Sequence, residues 1–273
     1  MEKNKDTEII SVDFECSACQ RPGGQSTKIP VLRVIEKLET FFAKNDLCGA
    51  ERLLEYWQSE AEALADLSGE LSVVNEMLGL FRRTNNKEKA KKAVDRALEL
   101  LHLTQTEELF SGATVMLNAA TTCKAFGDVN KALLIYEKVL KIYEKELAED
   151  DVKRAGLYNN YATALVDIND FEKAEKFYKR AIELTSKQVS SLPDCAISYV
   201  NLAHLWEKKE GGESLKIEEC MKKAEELLTN EEIKTDAYFA FVLSKCAPSF
   251  DYFGYFLFAK KISELSREIY ERA

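Results

Sequence analysis

The chain has 273 residues, of which 46% are apolar and 31% charged, with only 4 prolines and a net charge of −9 from 38 basic and 47 acidic side chains. That length is too great for one small core and suits two domains or one elongated array, while abundant Glu and Lys with little Pro favour helix. The acidic surplus, with no long Lys/Arg run, argues against nucleic acid as a partner, because phosphate backbones are repelled.

In chain order, Met1 to Ser11 is polar and lacks the apolar centre of a secretory signal. No stretch approaches the roughly 20 apolar residues that span a bilayer. The expectation is therefore a cytoplasmic chain with no membrane partner. The seven cysteines fit reduced thiols, because the number is odd and most fall inside helical patterns. The stretch "CSACQRPGGQST" has no helical periodicity and is rich in turn residues. Residues 1–29 are thus expected to form a flexible tail ahead of a repeat region over 30–273. Cys16 and Cys19 form a lone C-x-x-C. A structural zinc site needs four ligands, and no second pair follows. This half-site is the only metal candidate, and no cofactor is expected.

From residue 31 onward apolar positions recur every three or four residues, the period of an amphipathic helix. Six helical pairs are predicted, at about 31–66, 70–103, 110–148, 151–190, 193–229 and 231–272. The second helices repeat one another. Ala174, Tyr178 and Ala181 stand where Ala132, Tyr136 and Val139 stand 42 residues earlier, and Ala90, Val94 and Ala97 another 42 before those. Ala50, Leu54 and Trp57 open the series, and Ile217, Met221 and Ala224 then Ala259, Ser263 and Ser266 extend it. Among first helices, Ala120, Ala162 and Ala203 recur at 42 and 41 residues. Small residues there allow close helix approach, and a large residue three positions on, such as Leu165 or Trp206, fills the groove. Between helices come "KND" at 44–46, "TNN" at 84–86, "FGD" at 126–128 and "IND" at 168–170. In each, Asn or Gly suits a left-handed helix end and the next Asp or Asn can cap the following helix.

The last pair differs. Nine aromatics lie between Tyr238 and Phe258, and Pro248 falls where the first helix should continue. An interior proline removes a hydrogen bond and clashes with the preceding turn, so the helix is expected to end or kink just before it. The aromatics either seal the final repeat or form a patch that docks a partner or a second copy.

The whole pattern resembles the tetratricopeptide repeat (TPR): a large residue, then L-G or a similar pair, then Tyr in the first helix, and A…F/Y…A in the second. The standard period is about 34 residues. The longer spacing here resembles the repeats of kinesin light chains and of bacterial peptide-sensing and scaffold proteins. The chain is also similar to a Firmicutes family of repeat proteins ending in a segment like "AFVLSKCAPSFDYFGYFLFAKKI", a resemblance that implies no activity. What the resemblance implies is an all-α, right-handed α-solenoid of about six TPR-like hairpins whose first helices line a concave face.

On that face Asn118, Asn160 and Asn201 each stand two residues before the close-packing Ala, with Asn75 and Asn159 nearby in their own repeats. A carboxamide offers one acceptor and two donors, so such a column can grip an extended peptide backbone, as in similar peptide-binding repeats. Equally, the amides can bond neighbouring helices and set repeat geometry. Thr121, Thr163 and His204 follow one turn on, with Arg82, Arg83, Lys124, Glu207 and Lys208 beyond. A basic half around Arg82, Arg83 and Lys124 would suit an acidic peptide or a terminal carboxylate. Neither His102 nor His204 has a Cys, Asp or second His at ligand spacing on its own helix, and no phosphate-binding glycine loop, H-E-x-x-H or G-x-S-x-G occurs. The expected function is non-catalytic: a scaffold or adaptor holding a protein or peptide. The alternatives are a regulator like the quorum-sensing TPR receptors and a homo-oligomer assembled through the aromatic C-terminus.

Overall fold

The computed structural model describes residues 27–212 and 214–272. Most of the expected tail, including the Cys16/Cys19 half-site, lies outside the described residues. Within them the secondary structure is twelve α-helices and one short 3-10 turn. The chain forms two compact units, the first ending at Glu146 and the second starting at Leu147.

Unit 1 contains α1 (Val31–Ala43), α2 (Leu47–Ala63), α3 (Leu67–Arg83), α4 (Lys87–Leu103), α5 (Phe110–Ala125) and α6 (Val129–Glu146). Unit 2 contains α7 (Lys153–Asp167), α8 (Phe171–Thr185), the 3-10 turn Val189–Ser191, α9 (Leu192–Glu210), α10 (Leu215–Leu228), α11 (Ala237–Tyr252) and α12 (Phe256–Arg272). In each unit the helices pack as antiparallel pairs, and each pair packs on the next. The first helices of neighbouring pairs also touch, α3 against α5 in unit 1 and α9 against both α7 and α11 in unit 2. This is the TPR-like stacking of an all-α solenoid.

The core follows the repeat register. Ala50, Ala90, Ala132 and Ala174 are fully buried, as are Ala120, Ala162 and Ala203 on the facing first helices. Between them sit Leu54, Val94, Tyr136, Tyr178 and Met221, all essentially without solvent contact. The exceptions are at the ends: Trp57 in the first pair is half-buried and Ser263 in the last is exposed. An end repeat has a neighbour on one side only, so one flank stays open. Cys123, Cys195, Cys220 and Cys246 are core residues as well, and only Cys48 among the described cysteines is exposed. Burial pushes the Cys220 and Cys246 thiols up to about 12, which keeps them protonated and unreactive.

The helix junctions share one geometry. At Asn45, Asn85, Gly127 and Asn169 the backbone turns left-handed, with φ of 53°, 51°, 88° and 63°. The next residue's N–H then reaches back to a carbonyl in the last helical turn, as Asp170 does to Leu165 at 2.9 Å. That residue also caps the following helix: Asp46 accepts from Gly49 N–H at 2.7 Å, Asn86 from Lys89 at 3.1 Å and Asp170 from Lys173 at 3.2 Å. Ala65 and Gln105 adopt the same left-handed turn, at φ 52° and 56°, although neither type favours it. After Ala65 the buried Asp66 accepts from Gly69 N–H at 3.0 Å and from Ile29 N–H at 2.9 Å, tying the entry to α1 onto the start of α3.

Of the two outcomes expected at Pro248, an end or a kink, α11 does not end there. The helix runs through it to Tyr252. The ring sits on the exposed side, beside exposed Ser244, so the carbonyl that loses its partner faces water. Beyond Pro248, Phe250 is fully buried and anchors the last turn.

Two substitutions test this account by urea denaturation followed with far-ultraviolet circular dichroism. Ala65→Gly removes a left-handed penalty and is expected to stabilise by about 0.5–1 kcal/mol. Ala162→Leu forces bulk into a closed helix contact and is expected to cost about 1–3 kcal/mol.

Candidate functional site

The first helices carry the residues singled out from sequence. In unit 1, α3 presents Asn75 and Arg82, and α5 presents Asn118, Thr121 and Lys124. The Asn118 Nδ2 donates to Asn75 Oδ1 at 2.9 Å, and Asn75 Nδ2 donates to Glu76 Oε1 at 3.3 Å. Arg82 Nη1 donates to the Asn118 carbonyl at 3.2 Å and to Thr122 Oγ1 at 2.8 Å. Thr121 Oγ1 donates to the Leu117 carbonyl at 2.8 Å and accepts from the Tyr136 hydroxyl at 3.2 Å. The Asn118–Asn75 and Arg82 contacts therefore bond two stacked pairs to each other, while Thr121 and Tyr136 join the two helices of one pair. Burial pushes the Glu76 carboxyl up and the Arg82 guanidinium down, with each charge partly offsetting the shift of the other. Arg83 stacks over the Phe42 ring at 4.5 Å. Lys124 is half-buried in the last turn of α5.

Unit 2 is built differently. Asn159, not Asn160, makes the link between stacked pairs, donating from Nδ2 to Ser198 Oγ on α9 at 2.8 Å. Its Oδ1 is buried with no hydrogen-bond partner. Asn160 and Asn201 are half-buried, and among the described residues neither side chain has a hydrogen-bond partner. Thr163 Oγ1 donates to the Asn159 carbonyl at 2.8 Å and lies 3.0 Å from the Tyr178 hydroxyl, repeating the Thr121–Tyr136 contact one pair on.

Asn201, Thr163 and His204 line one cavity of about 500 Å³, completed by Val166, Asp167, Tyr178, Glu207 and Lys208. His204 Nε2 is 2.9 Å from Ser249 Oγ on α11, and its Nδ1 is 3.5 Å from Glu207 Oε2. The Tyr252 hydroxyl donates to the other Glu207 oxygen. Ser249 lies in the last turn of α11, beside Pro248. The His204 contacts thus join α9 to α11. Lys208 Nζ donates to the Val166 carbonyl at 2.9 Å, bridging α9 to the last turn of α7.

Sequence reasoning missed Ser198, Ser249 and Asp167. Helical spacing could have found Asp167, four residues after Thr163. No local signal marks Ser198 or Ser249, which matter only because another helix faces them. Among the described residues no three His, Cys, Asp or Glu side chains gather as a metal site. None of the described helices is long and apolar enough to cross a membrane.

Residues 111–187, covering α5 to α8, match the model of the tetratricopeptide repeat family. Residues 111–187 are tetratricopeptide repeats. Two solved structures with the same fold are the nearly identical TPR-like repeats described as a kinesin light chain of Podosopora anserina and a point variant of them. The point variant is 16% identical with a TM-score of 0.61 over 72% of this chain and 93% of that one. The parent is 16% identical with a TM-score of 0.60 over 75% and 97%. The apo form of the quorum sensor NprR from B. thuringiensis gives 17% identity and a TM-score of 0.46 over 88% of this chain and 65% of that one. No curated protein matches the chain.

The two units make opposite predictions for the same residue type. Asn118→Ala strips the Asn75 Oδ1 of its donor and is expected to cost about 1 kcal/mol in urea denaturation. Asn201→Ala is expected to fall within about 0.5 kcal/mol of the parent.

Proposed function

We propose that this TPR protein is a non-catalytic scaffold or adaptor that takes an extended peptide or protein segment against the first-helix face. The observation that carries the reading is the cavity of about 500 Å³ in unit 2, where Asn201, Thr163 and His204 meet. Asn201 and the nearby Asn160 keep their donors and acceptors unused, which is the state required to pair with another chain's backbone. Ordering such a segment against rigid helices costs little on the receptor side. In unit 1 the corresponding amides hold neighbouring helices together, so that face contributes shape and the Lys124 charge more than free amides.

A second reading, self-association through the C-terminal aromatics, is favoured by one observation. Phe256 and Leu257, at the start of α12, are 64% and 88% exposed, although Phe239, Phe250 and Phe258 are buried. A single monomeric mass at tens of micromolar would remove it.

The test is capture from native lysate with three baits: the parent chain, Asn160→Ala/Asn201→Ala, and Phe256→Ser/Leu257→Ser, all matched for helicity. A partner held by the parent and lost by the asparagine variant supports the first-helix face. Retention by all three places function elsewhere on the surface.

A further inference from the structure

We propose that the groove between α11 and α12 is where a second copy of this chain docks, in a two-fold contact. The inference rests on the self-association reading above and gives it a place and a symmetry. Inside each unit the flank of a pair is covered by the first helix of the next. Thus α5 packs on α3 and α4, and α9 packs on α7 and α8. Among the described residues no helix follows α12, and a groove of about 430 Å³ lies open between it and α11. The groove is wide because its filler is missing. Counted from the left-handed glycines Gly127 and Gly254, Ser263 holds the place of Tyr136, and Pro248 that of Thr121. Tyr136 and Tyr178 are buried, and each hydroxyl meets its threonine. Ser263 and Pro248 are exposed and line the open groove. In the fourth pair the residues at these places, Thr163 and Tyr178, share a cavity with α9. The groove therefore lies on the side where a further helix would pack.

What the groove lacks, its rim supplies. Phe256 lines it and is 64% exposed, and the adjoining Leu257 is 88% exposed. In a two-fold contact the same patch faces itself, so the ring of each copy meets the empty tyrosine place of the other. The Ser263 hydroxyl donates to the Ala259 carbonyl at 2.7 Å, so an apolar guest there leaves it satisfied. The charges match themselves as well. Asp251 on α11 and Lys260 on α12 line the groove from opposite sides. Among the described residues the Asp251 carboxylate makes no ion pair, and Lys260 has only a 3.9 Å contact with exposed Glu264. A two-fold axis through the groove sets each Asp251 against the second copy's Lys260, giving two ion pairs from one patch. A partner of a single sign of charge would be opposed by one of the two.

The experiment is sedimentation of the full chain over about 1–100 µM, beside Ser263→Tyr, Asp251→Lys and Lys260→Asp. All three positions are exposed, and circular dichroism verifies that the variants are folded. The parent is expected to dimerise within this range. Ser263→Tyr restores the residue of the inner pairs and plugs the groove. The two charge reversals set like charges against each other. Each of the three is expected to weaken the dimer about tenfold. An equimolar mixture of Asp251→Lys and Lys260→Asp is expected to recover the parent affinity, because only the mixed dimer places opposite charges together at both contacts. A parent that stays monomeric throughout would overturn both this inference and the self-association reading. A dimer indifferent to all three substitutions, or a mixture no tighter than its components, would overturn the two-fold groove and leave association through the rest of the aromatic segment.

Discussion

Close contact between a buried alanine and a buried large residue supports the rest of this structure. Ala162 on α7 and Ala174 and Ala181 on α8 are fully enclosed, with Tyr178 filling the space between the helices. A lone helical hairpin has more apolar flank than it can cover, so it is stable only when packed on a neighbouring hairpin. The small residues let the neighbour come near enough, and the large ones supply most of the buried area. The same arrangement recurs at Ala132, Tyr136 and Val139, which is why one local packing solution is repeated along each unit.

The register created by that packing decides what the polar groups on the first helices can do. In unit 1, α3 and α5 place Asn75 opposite Asn118 and Arg82 opposite Thr122, so these groups satisfy one another. In unit 2 the bond from Asn159, which stands two 42-residue repeats after Asn75, reaches Ser198, one turn before Asn201. Among the described residues the Asn160 and Asn201 side chains make no hydrogen bond. Residues that look alike in a repeat alignment are thus structural in one unit and available in the other.

The tyrosine hydroxyls illustrate how the core and the face are coupled. Tyr136 and Tyr178 fill the core, yet each hydroxyl reaches a threonine of the first helix, Thr121 or Thr163. Burial raises the Tyr136 hydroxyl to about 12, so it remains a donor at any physiological pH. The threonines that border the face are held in place by the residues that hold the repeat together.

Much of this was legible in the sequence. The period near 42, the buried Ala–Tyr–Ala positions and the junctions at Asn45, Asn85, Gly127 and Asn169 depend on short-range spacing and on backbone preferences of single residue types. Such features are local, and one sequence determines them. The left-handed turns at Ala65 and Gln105, the unbroken α11 through Pro248 and the division of the asparagines into engaged and available sets were not legible. Except for the turn at Gln105, whose backbone bonds are local, these depend on groups distant in the chain. Asp66 holds the turn after Ala65 by binding Ile29, Phe250 anchors the end of α11, and Ser198 selects Asn159 over Asn160. Spacing reveals which face a residue occupies, but only the tertiary structure decides whether its hydrogen bonds are already taken.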